Sequence, residues 1–177
     1  MAEHGFKIDE FKAQYQDLAR QYLFLVKIDS PYGFIGTDNA KFLVESSSLP
    51  ESTIDPIEIN WQGMVFPVGS TQTYSDWTVT FRLDNAADIR RDFLRWMKKV
   101  HDPQSNIHGS PTDYMRDQTV EHLNPKGEII QTIKLRNAWP TSVGALDLSY
   151  DTKEISTFDV TFRYLYHYDT DLDGVSS

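Results

Sequence analysis

The chain spells VTFR twice, at Val79–Arg82 within DWTVTFRLD and at Val160–Arg163 within TFDVTFRYLYHYD. In each copy apolar and polar residues alternate. A period of two sends Val and Phe to one face of an extended strand and Thr and Arg to the other. Such strands belong to a sheet with one packed face and one watered face. The copies do not extend into a longer repeat, because a helical pattern follows the first and YLYHYD follows the second. The match is shared strand grammar rather than duplication.

Other segments follow the same grammar. Residues 21–28 (QYLFLVKI) and KFLVESSSLP read as strands separated by the turn-rich SPYGFIGTDN. Ile54–Trp61 and Met64–Val68 read as a hairpin closing at Gln62-Gly63, where glycine supplies positive φ. Pro56 and Pro67 mark edges or bulges. Further strands are predicted over 117–123, 128–136, 145–150 and 156–168. In the last of these, Tyr164, Tyr166 and Tyr168 fall on the face of Phe158, Val160 and Phe162. DNAADIRRDFLRWMKKV is the one strongly helical segment. Asp84 or Asn85 can cap it, Asp88 suits its positive end and Lys98 and Lys99 its negative end. Ile89, Phe93, Trp96, Met97 and Val100 share a face that packs against the sheet. The spacing of Phe11, Tyr15, Leu18 and Tyr22 is helical, in an arm polar enough to order only against a partner. The predicted fold is mainly β: an antiparallel barrel or sandwich with one packing helix.

With 177 residues, 40% of them hydrophobic, the chain suits one domain. Its formal net charge of −9 argues against a sequence-independent grip on nucleic acid, which requires clustered Lys and Arg. Cysteine is absent, so thiolate and disulfide chemistry are absent too. No basic stretch leads into an apolar run, and none reaches the roughly 18 residues of a membrane span. A soluble, unexported protein without membrane partners is expected. Nucleophile-elbow, zinc-protease, phosphate-loop and dinucleotide motifs are all missing, so no enzyme and no cofactor are expected. His101 and His108 flank the loop HDPQSNIHGSP and read more simply as solvated histidines than as metal ligands. The terminal DTDLDG begins like a calcium loop but lacks the closing Glu, and reads as an acidic flexible tail.

From Leu135 to Asp169, LRNAWPTSVGALDLSYDTKEISTFDVTFRYLYHYD resembles the C-terminal third of the tail tube proteins of contractile-tailed, T4-like bacteriophages. The W-P-T-x-V-G element falls on Trp139–Gly144, and E-I-x-T-F-x-V-T on Glu154–Thr161. Asp76–Thr80 matches the family's D-W-T-V-T strand, and Leu49-Pro50 its early L-P. The resemblance implies a barrel subunit over residues 21–168, preceded by an arm (1–20) and followed by a tail (169–177). It further implies hexameric rings whose strands join into one inner barrel, stacked into a tube that conducts DNA inside a contractile sheath. Implied partners are further copies of the chain, the sheath, a baseplate tube initiator, a tape measure protein, and DNA passing without specific binding. The implied place is the virion tail, assembled in the host cytoplasm. Tubes of injection or secretion machines and a baseplate initiator are the alternative readings, with a small β-barrel binding protein or hydrolase as the competitor from another class.

On this resemblance Asp76, Trp77, Trp139, Pro140 and Gly144 are structural motif residues. Trp139–Gly144 is expected to form a corner with Trp139 buried. The arm, through Phe11 and Tyr15, and the loop, through His101 and His108, are expected to carry contacts between stacked rings. Glu128 and Asp159 are expected lumen acids on half-polar strands, since a negative wall would let a polyanion slide.

Overall fold

The computed structural model describes residue 8 and residues 20–33, 43–146 and 155–171. In chain order these form β1 (Phe24–Ile28), β2 (Val44–Ser47), β3 (Ser52–Trp61), β4 (Met64–Tyr74), β5 (Trp77–Arg82), helix α1 (Asp88–Val100), β6 (His101–Asp102) and β7 (Ile107–His108). They continue with the one-turn helix α2 (Pro111–Tyr114), β8 (Arg116–Leu123), β9 (Ile129–Val143), β10 (Thr157–Arg163) and β11 (Tyr166–Asp169).

The two VTFR strands are antiparallel neighbours. Val79 lies opposite Val160, Phe81 opposite Phe158 and Trp77 opposite Phe162, all with their side chains buried. From this pair a seven-stranded antiparallel sheet grows in the order β1-β8-β9-β10-β5-β2, with β11 beside β9. The 15-residue β9 serves two halves: Ile129–Ala138 pair with β8, Ile133–Arg136 also with β11, and Trp139–Val143 with β10. At the joint Asn137 takes a positive φ of 54°. Asp117 holds the kink there, since its carboxylate accepts from the Asn137 backbone N–H and from the Arg136 guanidinium. Such a kink is how a strand passes from one packed sheet to another.

Helix α1 lies across the apolar side of the β5–β10 half. Asp84 caps it through bonds from the N–H groups of Asp88 and Ile89. Phe93 sits among the rings of Phe81, Phe158, Phe162 and Trp96, with centroids 5.1–6.4 Å apart. Trp96 also donates to the Tyr114 carbonyl at 2.7 Å, tying α2 to α1. In the other half Gln118, fully buried, clamps the end of β1. Its amide donates to the Asp29 carbonyl and accepts from the Asp29 N–H.

The sheet does not close on itself. A cleft of about 860 Å³ opens between the edges of β1 and β2, lined by Phe24, Val26, Val44, Ser46 and Val120 among others.

Several sequence expectations shift. The strand expected over 156–168 breaks at Tyr164-Leu165, and the inward phase slips by one residue. Tyr164 is buried, but beyond the break His167 opposes buried Leu135, and Tyr166 is on the exposed face. The 128–136 strand continues to Val143. Ala145 and Leu146 are not strand, and 147–150 lie outside the described residues. The ordered body passes the expected boundary at 168, because Asp169 pairs with Ile133 and the Thr170 N–H donates to the Thr132 carbonyl.

Phe93 is the centre of the aromatic core, so Phe93→Ala is expected to lower unfolding free energy by about 3–5 kcal/mol, measured by urea denaturation of the dispersed subunit.

Candidate functional site

Strands β2 and β3 are separated by only four residues, and β4 and β5 by two. Because β2 pairs with β5 and β3 with β4, Val44–Arg82 forms one long two-stranded ribbon whose base belongs to the sheet. The base is locked where it leaves the body. Trp77 Nε1 donates to the Ser48 carbonyl at 2.9 Å and the Ser75 N–H to the Glu51 carbonyl. Beyond that lock, every residue from Ser52 to Thr73 is exposed. Ten strand residues at about 3.3 Å each carry the tip roughly 30 Å from the body.

The turn is the one expected from Gln62-Gly63. Both residues have positive φ, 47° and 82°, matching the right-handed strand twist. A register shift follows Ile54, next to Pro56, in keeping with the bulge that proline suggested.

Pairing sorts the tip residues into two unlike faces. Ile57 opposes Val68, Ile59 opposes Phe66 and Trp61 opposes Met64, giving one wholly apolar face. Trp61 is 70% exposed, Met64 75% and Phe66 64%. The other face is mixed, with Glu58 opposite Pro67 and Asn60 opposite Val65, and Ser52–Tyr74 contains two acids, Asp55 and Glu58, with no Lys or Arg. An isolated two-stranded hairpin is marginal in water, and a contiguous apolar patch on a monomer marks an interaction surface. Covering six such side chains is worth on the order of 5–10 kcal/mol. That is of the same order as the roughly 4–15 kcal/mol cost of association.

The watered face of the sheet base is rich in hydroxyls. Thr78 bonds Thr161 at 3.3 Å, Thr80 donates to Asp159 at 2.7 Å, and Arg163 pairs with Asp76 at 2.6 Å. The Asp76 carboxylate raises the Arg163 pKa, so this cation stays charged. Arg82 lies 3.9 Å from Glu45.

The expected site residues separate accordingly. Asp159 does sit on a half-polar strand, with an exposed side chain. Glu128 does not: it belongs to the turn before β9, where Asn124 Nδ2 donates to its carboxylate at 2.8 Å. Trp139–Val143 is strand rather than corner, with a register shift opposite Thr161/Phe162. Pro140 is tolerated there because it lies beyond the last β8 pair, where β9 has a ladder neighbour on one side only. Trp139 is half-buried rather than buried, edge-on to Tyr114 at 5.9 Å. Gly144 sits in a close approach: a Cβ there would lie 3.1 Å from the Asp159 carbonyl oxygen, tighter than an ordinary contact. His101 and His108 become cross-strand partners, and His101 shares a groove of about 550 Å³ with Trp139 and Pro140. Phe11 and Tyr15 lie outside the described residues.

At the root of the ribbon Tyr74 meets Tyr164 and His167, with ring centroids 5.2–6.0 Å apart. The Tyr164 hydroxyl and His167 Nδ1 are buried without a partner among the described residues. Burial pushes the Tyr164 pKa up to about 12, with Asp76 adding to the shift, and lowers that of His167.

A wholly apolar face left uncovered by the rest of the chain marks an interaction surface. The comparisons with known proteins agree. The family model described as phage tail tube protein matches residues 10–170, and the chain belongs to that family. The tail tube protein of Enterobacteria phage T4 is 31% identical over 153 residues, covering 85% of this chain and 91% of the relative; that of phage T6 is 29% identical over the same length. The baseplate tail-tube junction protein of phage T4 is 34% identical over 87 residues, which is 27% of its own length. The fold is shared with the sheath-tube complex of an extracellular contractile injection system (TM-score 0.64, 17% identity, 93% of this chain and 98% of that one). The anti-feeding prophage tube-terminating cap also shares it (TM-score 0.68, 17% identity, 88% and 92%). This chain is therefore a tail tube structural subunit.

His167 supplies the pH dependence. Its folded pKa is lowered, so the unfolded chain takes up the proton first as pH falls through the ordinary value of about 6.5. Its contribution to stability is fully present above that value and declines below it. Urea midpoints measured across this range are expected to fall with acidification, and His167→Phe is expected to flatten the fall.

Proposed function

We propose that copies of this chain form hexameric rings that stack into a tube, and that the apolar face of the β3–β4 ribbon is covered by a neighbouring copy. The observation that carries this reading is the wholly apolar face of the ribbon tip, which stands clear of the body with every residue from Ser52 to Thr73 exposed. A self-contained binding domain or hydrolase would bury such a face.

In this reading the hydroxyl-rich side of the β5–β10 half-sheet lines the lumen. Glu45, Asp76 and Asp159 there outnumber Arg82 and Arg163, and the ribbon adds two acids and no base. A surface of bonded threonines with a small negative excess offers DNA no cluster of cations to hold it. The tube conducts DNA within a contractile sheath, starts on a baseplate initiator and encloses a tape measure protein. It belongs to the virion tail and assembles in the host cytoplasm. The His101–Pro111 loop and the N-terminal arm carry contacts between rings, and the family's non-enzymatic character applies to this chain.

The baseplate initiator is the second reading, favoured by the match to the junction protein. The tail tube proteins of T4 and T6 match nearly the whole of both chains, and that supports the tube subunit. Injection-machine tubes share the fold at low identity, which leaves them behind the phage tube.

Charge on the apolar face tests assembly apart from folding. Ile59→Asp with Phe66→Asp is expected to keep native circular dichroism and urea midpoint while abolishing rings and tubes in negative-stain microscopy. Normal tubes from the double variant would overturn the proposal.

A further inference from the structure

Strands β6 and β7 form a small hairpin at the C-terminal end of α1, and they place His101 directly opposite His108. The ring centroids are 4.4 Å apart and tilted by 51°. Direct opposition across the two-stranded ladder is what brings the rings this close.

The frame beneath them is rigid. The Asn106 N–H donates to the Asp102 carbonyl at 2.8 Å, and the Asp102 carboxylate accepts from the Gln104 N–H and the Ser105 hydroxyl. The Gly109 N–H donates to the Val100 carbonyl, and a Cβ on Gly109 would fall 2.1 Å from the Lys99 carbonyl oxygen. Only glycine lets the hairpin press this closely on the helix end.

Asn106 adds a third donor atom. Its φ of 54° turns the side chain back so that Oδ1 lies 3.3 Å from His101 Nε2. The nearby cation, Lys98, is engaged with Asp102 and Gln104. Among the described residues no three or more His, Cys, Asp or Glu side chains gather as a metal group. Two imidazoles and an amide oxygen nevertheless make a preorganised partial ligand set, with coordination positions left for water or for a donor from another copy.

We propose that His101 and His108, with Asn106 Oδ1 alongside, chelate one late first-row divalent cation of the kind that prefers imidazole, such as zinc, nickel or copper. Binding replaces the hydrogen bond between His101 and Asn106, and it requires both imidazoles neutral, so uptake weakens as they protonate.

Zinc titration of the intact, dispersed chain by calorimetry tests the site. Saturable uptake of about one zinc per chain is expected, together with zinc-dependent shifts of the His101 and His108 ring-proton resonances. His101→Gln and His108→Gln should each weaken uptake at least about tenfold, with native circular dichroism retained, and His122→Gln should leave it unchanged. Absence of saturable uptake would overturn the proposal. So would uptake that survives in the His101→Gln/His108→Gln double variant, including uptake lost only on His4→Gln, which would place the metal elsewhere. Because the readout is metal uptake by single subunits, its failure leaves the tube reading untouched.

Discussion

Everything else in the molecule is arranged around the pairing of β5 with β10. Trp77, Val79 and Phe81 meet Phe162, Val160 and Phe158 in register, and these six side chains form the floor on which α1 lays Phe93 and Trp96. The same backbone sends Thr78, Thr80, Asp159 and Thr161 to the opposite side, where they bond one another across the strands. A one-residue slip of either strand would turn its own set over, burying its polar residues and exposing two aromatic rings, so register here is strongly specified. The repeated VTFR is thus two partners written in the same alternation, each matching the other's pattern.

That pairing also aims the ribbon. β5 is continued backwards by β4, and β2, which pairs β5, is continued forwards by β3. The body therefore fixes the root of a structure whose tip it does not touch. Exposed apolar face, open sheet edges at β1 and β2, and the cleft between them are liabilities in a protein that stays single. They are consistent in a subunit whose neighbours complete it. An interface between unlike surfaces closes into a ring when its rotation closes, and a second along the axis propagates a filament.

Much of this was legible in the residues. Alternation located β5 and β10, Gln62-Gly63 located the turn, and the apolar spacing of Ile89, Phe93 and Trp96 located the buried face of α1. What alternation could not say is what lies opposite an apolar face. Ile57, Ile59 and Trp61 have the same pattern as Trp77, Val79 and Phe81, yet one set packs on the body and the other projects from it. The signal was in the partner strand, where Met64, Phe66 and Val68 repeat the pattern with no helix to cover both. The break at Tyr164-Leu165 was hidden because YLYHY continues the apolar spacing through a one-residue phase slip. Trp139-Pro140 looked like a corner because proline is scarce in strands; its place beyond the end of the β8 ladder depends on pairing that local sequence does not reveal. His101 and His108 became a pair only through the eight-residue hairpin from 101 to 108.

The central claim is that the β3–β4 ribbon is unprotected in the single subunit and covered in the assembly. Amide hydrogen exchange, followed by mass spectrometry on dispersed subunits and on assembled tubes, tests it most directly. Peptides from Ser52–Tyr74 should exchange rapidly in the dispersed chain and become strongly protected in tubes, while the β5–β10 core is protected in both. Equal exchange of the ribbon in the two states would contradict the account.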